Sequence, residues 1–357
     1  MTVTRTWSGT VAPLATPWTA DVTPANALPD YPRPQCSRPS VAAPRWTNLN
    51  GLWQFQPSTA DAAVPVGQDL TGQILVPFAP ESALSGVMEH HGHMVYRRTV
   101  AVPASYRTGG QRVRLNFGAV GYRAAVHVNG TQVAGHVGGY TSFSADITDA
   151  LTPSGPQEIV VVVHAPVDCE TIPVGKQRLT PFEVFYTAAS GIWQTVWLEP
   201  VPPVSLASVT VTPDLATSSF VVTARIHGDA SGAVLSVTAH EGGTVVGGVS
   251  GSATDPLRLR IPAPHRWSPD DPFRYALTST LTAADGRTDT LEGAVGMRSI
   301  EVAEVAGVQR IMLNGEPIFL LSTLDQGYWP DGLYTAPTDD ALRFDLERTK
   351  ALGFNTV

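Results

Sequence analysis

The stretch QRVRLNFGAVGYRAAVHVNGTQV, residues 111–133, decides the fold of the region around it. Apolar and polar side chains alternate over its first seven positions, so that Val113, Leu115 and Phe117 share one face. A period of two over this length is typical of a half-buried strand. Asn129-Gly130 then separates two further alternating runs, and this pair is a strong hairpin signal because both turn positions need a positive φ. The stretch therefore predicts antiparallel strands joined by a tight turn.

The same pattern of short strands continues on both sides of this stretch, from residue 46 to about 200. Further strands are expected over 158–163 and 192–198, and no helical pattern of useful length interrupts them. About 150 residues of this kind predict a sandwich or jelly roll. Residues 1–45 contain many prolines and little periodicity, so we expect an extended lead segment that runs along the surface of this domain.

The proline-rich residues 200–203 mark a break, because proline cannot donate to a sheet ladder. A second all-β block follows this break. Its expected strands are 204–211, 220–226, 233–239, 257–261, 275–281 and 293–302. A block of about 100 residues with about seven strands has the size of an immunoglobulin-like sandwich. The paired cysteines of true immunoglobulin domains are missing, so the domain at 201–302 is expected to be only immunoglobulin-like.

The pattern changes after residue 303. The apolar run 318–321 suits a strand that is buried on both faces. A polar and aromatic loop follows, and Thr338 then predicts the N-cap of a helix that ends near Gly353. Residues 354–357 predict another strand. Strand, loop, helix and strand form the opening of a parallel α/β fold, so we expect the sequence to stop inside a third domain.

Composition excludes several classes of protein. The 357 residues carry a formal charge of −8, which disfavours a nucleic-acid partner. Cys36 and Cys169 are the only cysteines, so a disulfide scaffold is excluded. No apolar run is long enough for a membrane span or a secretory signal. We therefore expect a cytoplasmic protein with no membrane partner.

Many short motifs resemble glycoside hydrolase family 2 in the order that the family has them. They are WTNLNGLWQF (46–55), ILVPF (74–78), ESALSG (81–86), YRR (96–98), NFGAV (116–120), VHVNG (126–130), GGY (138–140), SGIWQTVWLE (190–199), WSPDDPF (267–273), GMRSI (296–300), LNGEP (313–317) and DQGYW (325–329). Each motif alone is a weak signal, but their order over some 300 residues is specific. The sequence is therefore similar to the N-terminal portion of β-galactosidase- and β-glucuronidase-like proteins.

The resemblance implies a mainly β chain with three parts. A jelly-roll, galactose-binding-like sandwich (46–200) precedes the immunoglobulin-like sandwich (201–302), and residues 303–357 then begin a (β/α)8 TIM barrel. Such a barrel needs about 250 residues. Retaining enzymes of this kind use two carboxylates about 5–5.5 Å apart, and in the family both are glutamates on later barrel strands. Neither position exists in this sequence.

Two functions are consistent with that reading. In the first, the chain is the non-catalytic N-terminal part of a glycosidase that hydrolyses O-glycosyl bonds, with its catalytic glutamates downstream of residue 357. In the second, it is a stand-alone module that binds carbohydrate or protein without hydrolase activity. The two-carboxylate mechanism requires no metal or other cofactor. The resemblance implies a carbohydrate substrate, and homo-oligomers are common in the family, with the sandwiches as the expected contacts.

Four residues at the end of the first barrel strand are candidates for substrate binding, because barrel active sites lie at that end of the strands. Asp325 either lies in the sugar pocket or caps its own loop or pairs with an arginine of the sandwich. Gln326 either bonds a sugar hydroxyl or faces water. Tyr328 and Trp329 either stack on a sugar face or pack the barrel rim against the immunoglobulin-like domain.

The sequence departs from better-known members of the family at three places. Phe185 stands where those members have an aspartate that reaches into the active site. Asp325-Gln326-Gly327 replaces an Arg-His-Glu, and Leu321-Ser-Thr323 replaces an Arg-Gly-Val. The first two changes remove polar ligands for galactose or glucuronate, which argues against simply transferring a β-galactosidase or β-glucuronidase activity.

His90-His91-Gly92-His93 invites comparison with a metal site. Tetrahedral zinc needs ligands that converge, and adjacent histidines in one loop rarely do so. A polar loop is therefore the expected structure here, and no metal ligand is assigned.

Overall fold

The computed structural model describes residues 7–38 and 45–357, and these form two compact units. The parts of the expected lead segment at 1–6 and 39–44 lie outside the described residues. The first unit contains residues 7–32, 46–200 and 325–348. The second contains residues 33–38, 45, 201–324 and 349–357.

The first unit is built from short strands. They are β1 (Thr47–Asn48), β2 (Gly51–Pro57), β3 (Gly72–Val76), β4 (His93–Val100), β5 (Arg112–Phe117), β6 (Val120–Gly121), β7 (Arg123–Val128), β8 (Thr131–Val137), β9 (Phe143–Asp146), β10 (Gln157–His164), β11 (Gln177–Arg178), β12 (Tyr186–Thr187), β13 (Gly191–Ile192) and β14 (Val196–Val201). A short 3-10 helix precedes β1, at Thr19–Asp21, and others lie between strands, at Ala104–Arg107, Thr148–Ala150 and Val167–Cys169.

Two sheets of the first unit form a sandwich. One has the strand order β3-β2-β4-β10-β7-β8 and the other β1-β14-β5-β9. The alternating residues of β5 put Val113, Leu115 and Phe117 into the core, where they join Trp53 of β2 and Tyr96 of β4. Burial of such large apolar side chains is the main favourable term for the fold. The prediction of a sandwich is confirmed.

The hairpin predicted from Asn129-Gly130 is also confirmed. β7 and β8 are antiparallel partners, and the two turn residues have φ angles of 48° and 82°. Both values lie in the left-handed region that this turn requires.

The second unit contains the remaining strands. They are β15 (Ser205–Asp214), β16 (Ser219–His227), β17 (Val234–Glu241), β18 (Thr244–Ser252), β19 (Leu257–Arg260), β20 (Tyr275–Thr282), β21 (Thr288–Val295), β22 (Ile300–Val305), β23 (Val308–Leu313) and β24 (Glu316–Pro317). Sheets β15-β16-β19 and β18-β17-β20-β21 enclose a core around Phe220, Leu235 and Tyr275, while β22-β23-β24 form a separate three-stranded sheet. This is a second sandwich, as predicted.

The strand predicted over 293–302 is wrong as a single element. β21 ends at Val295 and β22 begins at Ile300. Between them Met297 pairs with Arg266 in a parallel bridge, and Trp267 N donates to the Met297 carbonyl oxygen at 3.0 Å. A contact with a distant segment thus interrupts a run whose local pattern is continuous.

The helix predicted after Thr338 is confirmed. Helix α1 spans Asp339–Ala351, and the Thr338 hydroxyl oxygen accepts a hydrogen bond from Ala341 N at 3.2 Å, which is an N-cap. Gly353 follows with a φ of 92°. Within the described ranges no helix is long and apolar enough to cross a membrane.

The buried strand predicted at 318–321 is not formed. Phe319 is 78 % exposed, and the local pairing is an isolated parallel bridge between Ser322 and Thr356. A strand buried on both faces needs a packed layer on each side. In the described chain this segment hydrogen-bonds only to Ile311, through Ile318 N, and to Asn355, so no layer covers its faces.

Candidate functional site

The loop of residues 325–338, which carries the four predicted site residues, is anchored within the first unit by Asp331. Trp329 and Leu333 exchange two backbone hydrogen bonds, of 2.8 and 2.9 Å, and so close a tight turn around it. The Asp331 side chain is fully buried, and its Oδ2 accepts hydrogen bonds from the hydroxyls of Thr16 and Thr19 at 2.8 and 2.5 Å. The turn is therefore fastened to the N-terminal segment.

A second anchor lies four residues further on. The Thr335 hydroxyl is buried 2.6 Å from the carbonyl oxygen of Trp193 and 3.0 Å from that of Pro77, to either of which it can donate. Leu84 N donates to the Asp331 carbonyl oxygen at 3.1 Å. The loop thus meets the sandwich through buried polar contacts at two points, and such contacts are costly to break.

An aromatic cluster lies between this loop and the sandwich. The rings of Tyr328 and Tyr186 stack at 4.1 Å with an interplanar angle of 11°. Tyr334 packs at a tilt against Tyr328 at 4.5 Å and against Trp193 at 5.3 Å. Tyr140 completes the cluster, with its ring 5.9 Å from that of Tyr334. One face of Tyr328 is therefore already covered by another ring.

Hydroxyl groups of this aromatic cluster are held by hydrogen bonds. Tyr328 donates to the carbonyl oxygen of Thr187 at 3.1 Å, and Gln177 Nε2 donates to the Tyr140 hydroxyl at 2.8 Å. Burial raises the pKa of Tyr140 and of Tyr328, and the neighbouring Tyr334 hydroxyl raises both further. These phenols stay neutral at physiological pH, so they can donate hydrogen bonds but carry no charge.

The other predicted site residues are more open. Asp325 is exposed, and its Oδ1 accepts a hydrogen bond from Gly327 N at 2.7 Å. Burial raises the pKa of Asp345, and the negative charge of Asp325 raises it further. Gln326 is exposed and Trp329 is half-buried. The structure brings Tyr328 against the sandwich, leaves Asp325 and Gln326 open, and pairs the Trp329 backbone with Leu333 of the same loop. The substrate-binding role of all four stays a prediction.

Phe185, which occupies the position of the aspartate in better-known members of the family, is turned toward its own loop. The Arg178 guanidinium lies 4.7 Å above its ring, and the Phe182 ring lies 5.0 Å away. The next residue along the chain is Tyr186, which stacks on Tyr328. The 178–187 loop and the 325–338 loop are therefore neighbours within the first unit.

A buried carboxylate missed as a functional group fixes the segment behind the aromatic cluster. Glu81 Oε1 accepts hydrogen bonds from the Ser190 hydroxyl at 2.5 Å and from His90 Nδ1 at 2.7 Å, and its Oε2 accepts from Ser190 N at 3.0 Å. Serine and histidine both contact the carboxylate, so this is not the serine–histidine arrangement that activates a nucleophile. It ties two distant loops together.

Gly191 shows how tightly that segment is packed. Its φ is 67°, and a Cβ atom built there would lie 2.0 Å from the Tyr96 hydroxyl. Only glycine fits such an approach. The Glu81 and Ser190-Gly191 motifs were visible in the sequence, but their contact joins residues 109 positions apart and has no local signal.

The three histidines at 90–93 each contact a different partner. His90 contacts Glu81, His91 packs at 5.8 Å from the Phe55 ring, and His93 stacks on His164 at 4.3 Å. Across the described chain no group of three or more His, Cys, Asp or Glu side chains is arranged to hold a metal ion. The expected polar loop holds for His90 and His91, whereas His93 is the first residue of β4.

Comparison with known proteins gives matches along most of the chain. The family model "Glycosyl hydrolases family 2, sugar binding domain" matches residues 72–202, and "Glycosyl hydrolases family 2" matches 204–298. A putative β-glucuronidase of Formosa agariphila is 29 % identical over 68 % of this chain and 29 % of its own length. A β-glucuronidase of Paenibacillus borealis is 24 % identical over 76 % of this chain and 48 % of its own.

Solved structures agree with these matches. The β-glucuronidase of Lactobacillus rhamnosus is 26 % identical, with a TM-score of 0.72 over 88 % of this chain and 54 % of that protein. The β-glucuronidase of Ruminococcus gnavus shares the fold, with a TM-score of 0.73 at 19 % identity. The chain spans about half the length, or less, of these relatives. Two models of one family match consecutive parts of the chain in the family order, and the chain therefore belongs to glycoside hydrolase family 2.

Proposed function

We propose that this chain is the non-catalytic N-terminal part of a retaining glycosidase that hydrolyses O-glycosyl bonds. In this proposal residues 303–357 open a (β/α)8 barrel, and two catalytic glutamates are supplied from beyond residue 357. The observation that carries it is the docking of the 325–338 loop on the sandwich through buried Thr335 and stacked Tyr328, with Asp331 fastening the loop to the N-terminal segment. Loops that follow barrel strands build the active site in this fold.

The parallel bridge between Ser322 and Thr356 supports the start of a barrel. Helix α1 lies between the two bridged residues along the chain, which is the order of a βαβ unit. Residues 318–321 would become the first barrel strand once neighbouring strands cover them.

In this function the described residues position and shield the substrate. Tyr328 and Trp329 would offer ring faces and edges to a sugar, and Asp325 and Gln326 would accept or donate hydrogen bonds to its hydroxyls. The two carboxylates that perform the chemistry would lie about 5–5.5 Å apart. The anchored loop would keep the binding groups in place while bonds change.

The substrate class we propose is a β-linked glycoside. The relatives carry the names β-glucuronidase and, for a protein of Thermoanaerobacter pseudethanolicus that is 26 % identical over 63 % of this chain, β-galactosidase. Phe185 and the Asp325-Gln326-Gly327 sequence remove polar groups that better-known members use. We therefore expect a sugar preference that differs from both galactose and glucuronate.

The test compares this 357-residue chain with the longer protein obtained by reading the gene past codon 357. Both are assayed with p-nitrophenyl β-glycosides of glucuronate, galactose, glucose, mannose and xylose. We expect the longer protein to hydrolyse at least one of them and the 357-residue chain to hydrolyse none. Hydrolysis by the short chain, or none by the long one, would contradict the proposal; sugar binding without hydrolysis by the long protein would favour a binding module.

A further inference from the structure

The second unit has a groove on the outer face of the sheet that contains β17, β20 and β21. Its volume is about 740 Å³, which lies in the range of small-molecule sites. The floor is made of small side chains, among them Ala276 and Ala294, and the walls carry Gln35, His240, Arg274 and Glu292. The small residues allow a ligand to approach the sheet closely.

Two charged side chains of this groove have no partner within the described part of the chain. Arg274 and Glu292 are both exposed, and neither side chain takes part in a hydrogen bond or an ion pair there. The backbone of Glu292 is nonetheless fixed, because it exchanges hydrogen bonds of 2.9 and 2.7 Å with Ser37. A guanidinium with five donors and a carboxylate with two acceptor oxygens therefore face one groove with their bonding capacity unused.

The charges and the lining of the groove favour some classes of ligand over others. One cation and one anion leave the lining neutral, so neither an anionic nor a cationic ligand is favoured over a neutral one. Besides these charges the lining holds polar side chains, apolar surface and the imidazole ring of His240. An apolar ligand would cover the Arg274 and Glu292 side chains without bonding them, which disfavours such a ligand. Ser37 already occupies the backbone groups of β21 at Glu292, so an added peptide strand has no edge to pair with at this point.

We propose that this groove binds a neutral oligosaccharide. Sugar hydroxyls both donate and accept. Glu292 pairs with Thr278, four residues along the chain from Arg274, so separate hydroxyls of one oligosaccharide can bond the carboxylate and the guanidinium at the same time. The Gln35 amide and the Thr278 hydroxyl line the same groove and offer further donors and acceptors. The inference goes beyond the proposed function, because no residue of the groove belongs to the 325–338 loop.

Isothermal titration of the 357-residue chain tests this with cellotriose, maltotriose and β-1,4-galactobiose, and with free glucuronate as the charged comparison. We expect saturable binding of at least one neutral sugar. Arg274→Ala and Glu292→Gln should each weaken it about tenfold or more, as expected for a lost hydrogen bond to a charged group. Ala276→Gln should also weaken binding, because its larger side chain would fill the floor of the groove without removing a charge.

The controls are Arg310→Ala and Glu304→Gln, which change exposed residues of the same unit outside the groove. They should leave the affinity unchanged, and circular dichroism should show all variants folded, because none of these side chains belongs to the core. Absence of saturable binding by every neutral sugar would overturn the proposal. Binding that survives Arg274→Ala, Glu292→Gln and Ala276→Gln, or binding of glucuronate alone, would overturn it as well.

Discussion

At the residue scale, the surroundings of His164 in the first unit lower the pKa of its imidazole. His164 stacks on His93 at 4.3 Å, and its Nδ1 accepts a hydrogen bond from the Arg123 guanidinium at 3.0 Å. Burial lowers the pKa of His164, the neighbouring His93 lowers it further and Arg123 adds to the decrease, while Glu170 opposes them. A proton on Nδ1 would face a permanent cation, so the folded state favours the neutral ring.

This arrangement predicts a loss of stability in acid. The unfolded chain binds the proton near the ordinary pKa of 6.5, whereas the folded chain binds it only at lower pH. The stability is therefore fully present above pH 6.5 and is lost as the pH falls below that value toward the folded pKa. The melting temperature should fall between pH 7.5 and 5.5, and His164→Gln should reduce that fall.

Thermal melts at half-unit pH steps measure this effect, with His136→Gln as the matched histidine control. His127, whose pKa burial also lowers, accounts for part of the dependence that remains in the variant. An unchanged pH slope in His164→Gln would contradict the argument that His164 causes the loss of stability.

At the element scale, what could be predicted from the sequence depends on how local the cause is. The Asn129-Gly130 hairpin and the capped start of α1 were predictable because a few adjacent residues determine each. β18 was missed because glycine-rich residues 244–252 lack the expected alternation. The division between β21 and β22 was missed because Met297 pairs with Arg266, and no local pattern encodes that bridge.

The candidate site shows the same limit. Family motifs drew attention to Tyr328 and Glu81, but Tyr186 and Asp331 were not singled out. Tyr186 meets Tyr328 across 142 residues of chain, and Asp331 meets Thr16 across 315. Contacts of this length arise from the folded topology, and a single sequence carries no pattern for them.

The anchoring of the 325–338 loop by Asp331 predicts a local loosening when the carboxylate is removed. Asp331→Ala removes the acceptor that the Thr16 and Thr19 hydroxyls share and leaves Thr19 only the Thr16 carbonyl oxygen at 3.0 Å, at a cost of about 1–3 kcal/mol. Hydrogen exchange of residues 325–337 should become faster, and the Tyr328 contact with Tyr186 should loosen. Asp331→Asn should be milder, because the amide oxygen can still accept both hydroxyls and Oδ1 has no described partner to lose.

Hydrogen exchange read by mass spectrometry resolves these peptides, and Gln326→Ala serves as the control because its side chain is exposed in the same loop. Equal protection in Asp331→Ala and in the unmodified chain would contradict this prediction, because the remaining contacts of Thr335, Tyr328 and the Asp331 backbone would then hold the loop without the carboxylate.

At the scale of the whole molecule, the two units have separate hydrophobic cores and separate buried polar contacts. The first has the core around Trp53 and Tyr96 and the second the core around Phe220 and Tyr275. In the second unit Asp289 forms a two-point ion pair with Arg38, at 3.0 Å for each bond, and the side chains are 1 % and 7 % exposed. Leu206 N also donates to Asp289 at 2.8 Å.

Calorimetry of the 357-residue chain should therefore show two unfolding transitions, since each core can lose its packing by itself. Asp289→Asn leaves the buried Arg38 charge without its full partner, which costs about 3 kcal/mol or more. Only one transition should move, downward by on the order of 10 °C. Asp285→Asn, which changes an exposed pair with Arg287, should move neither by more than a few degrees. A single transition that shifts as a whole in Asp289→Asn would mean that the two cores unfold as one cooperative structure, and the division into independently stable units would then be wrong.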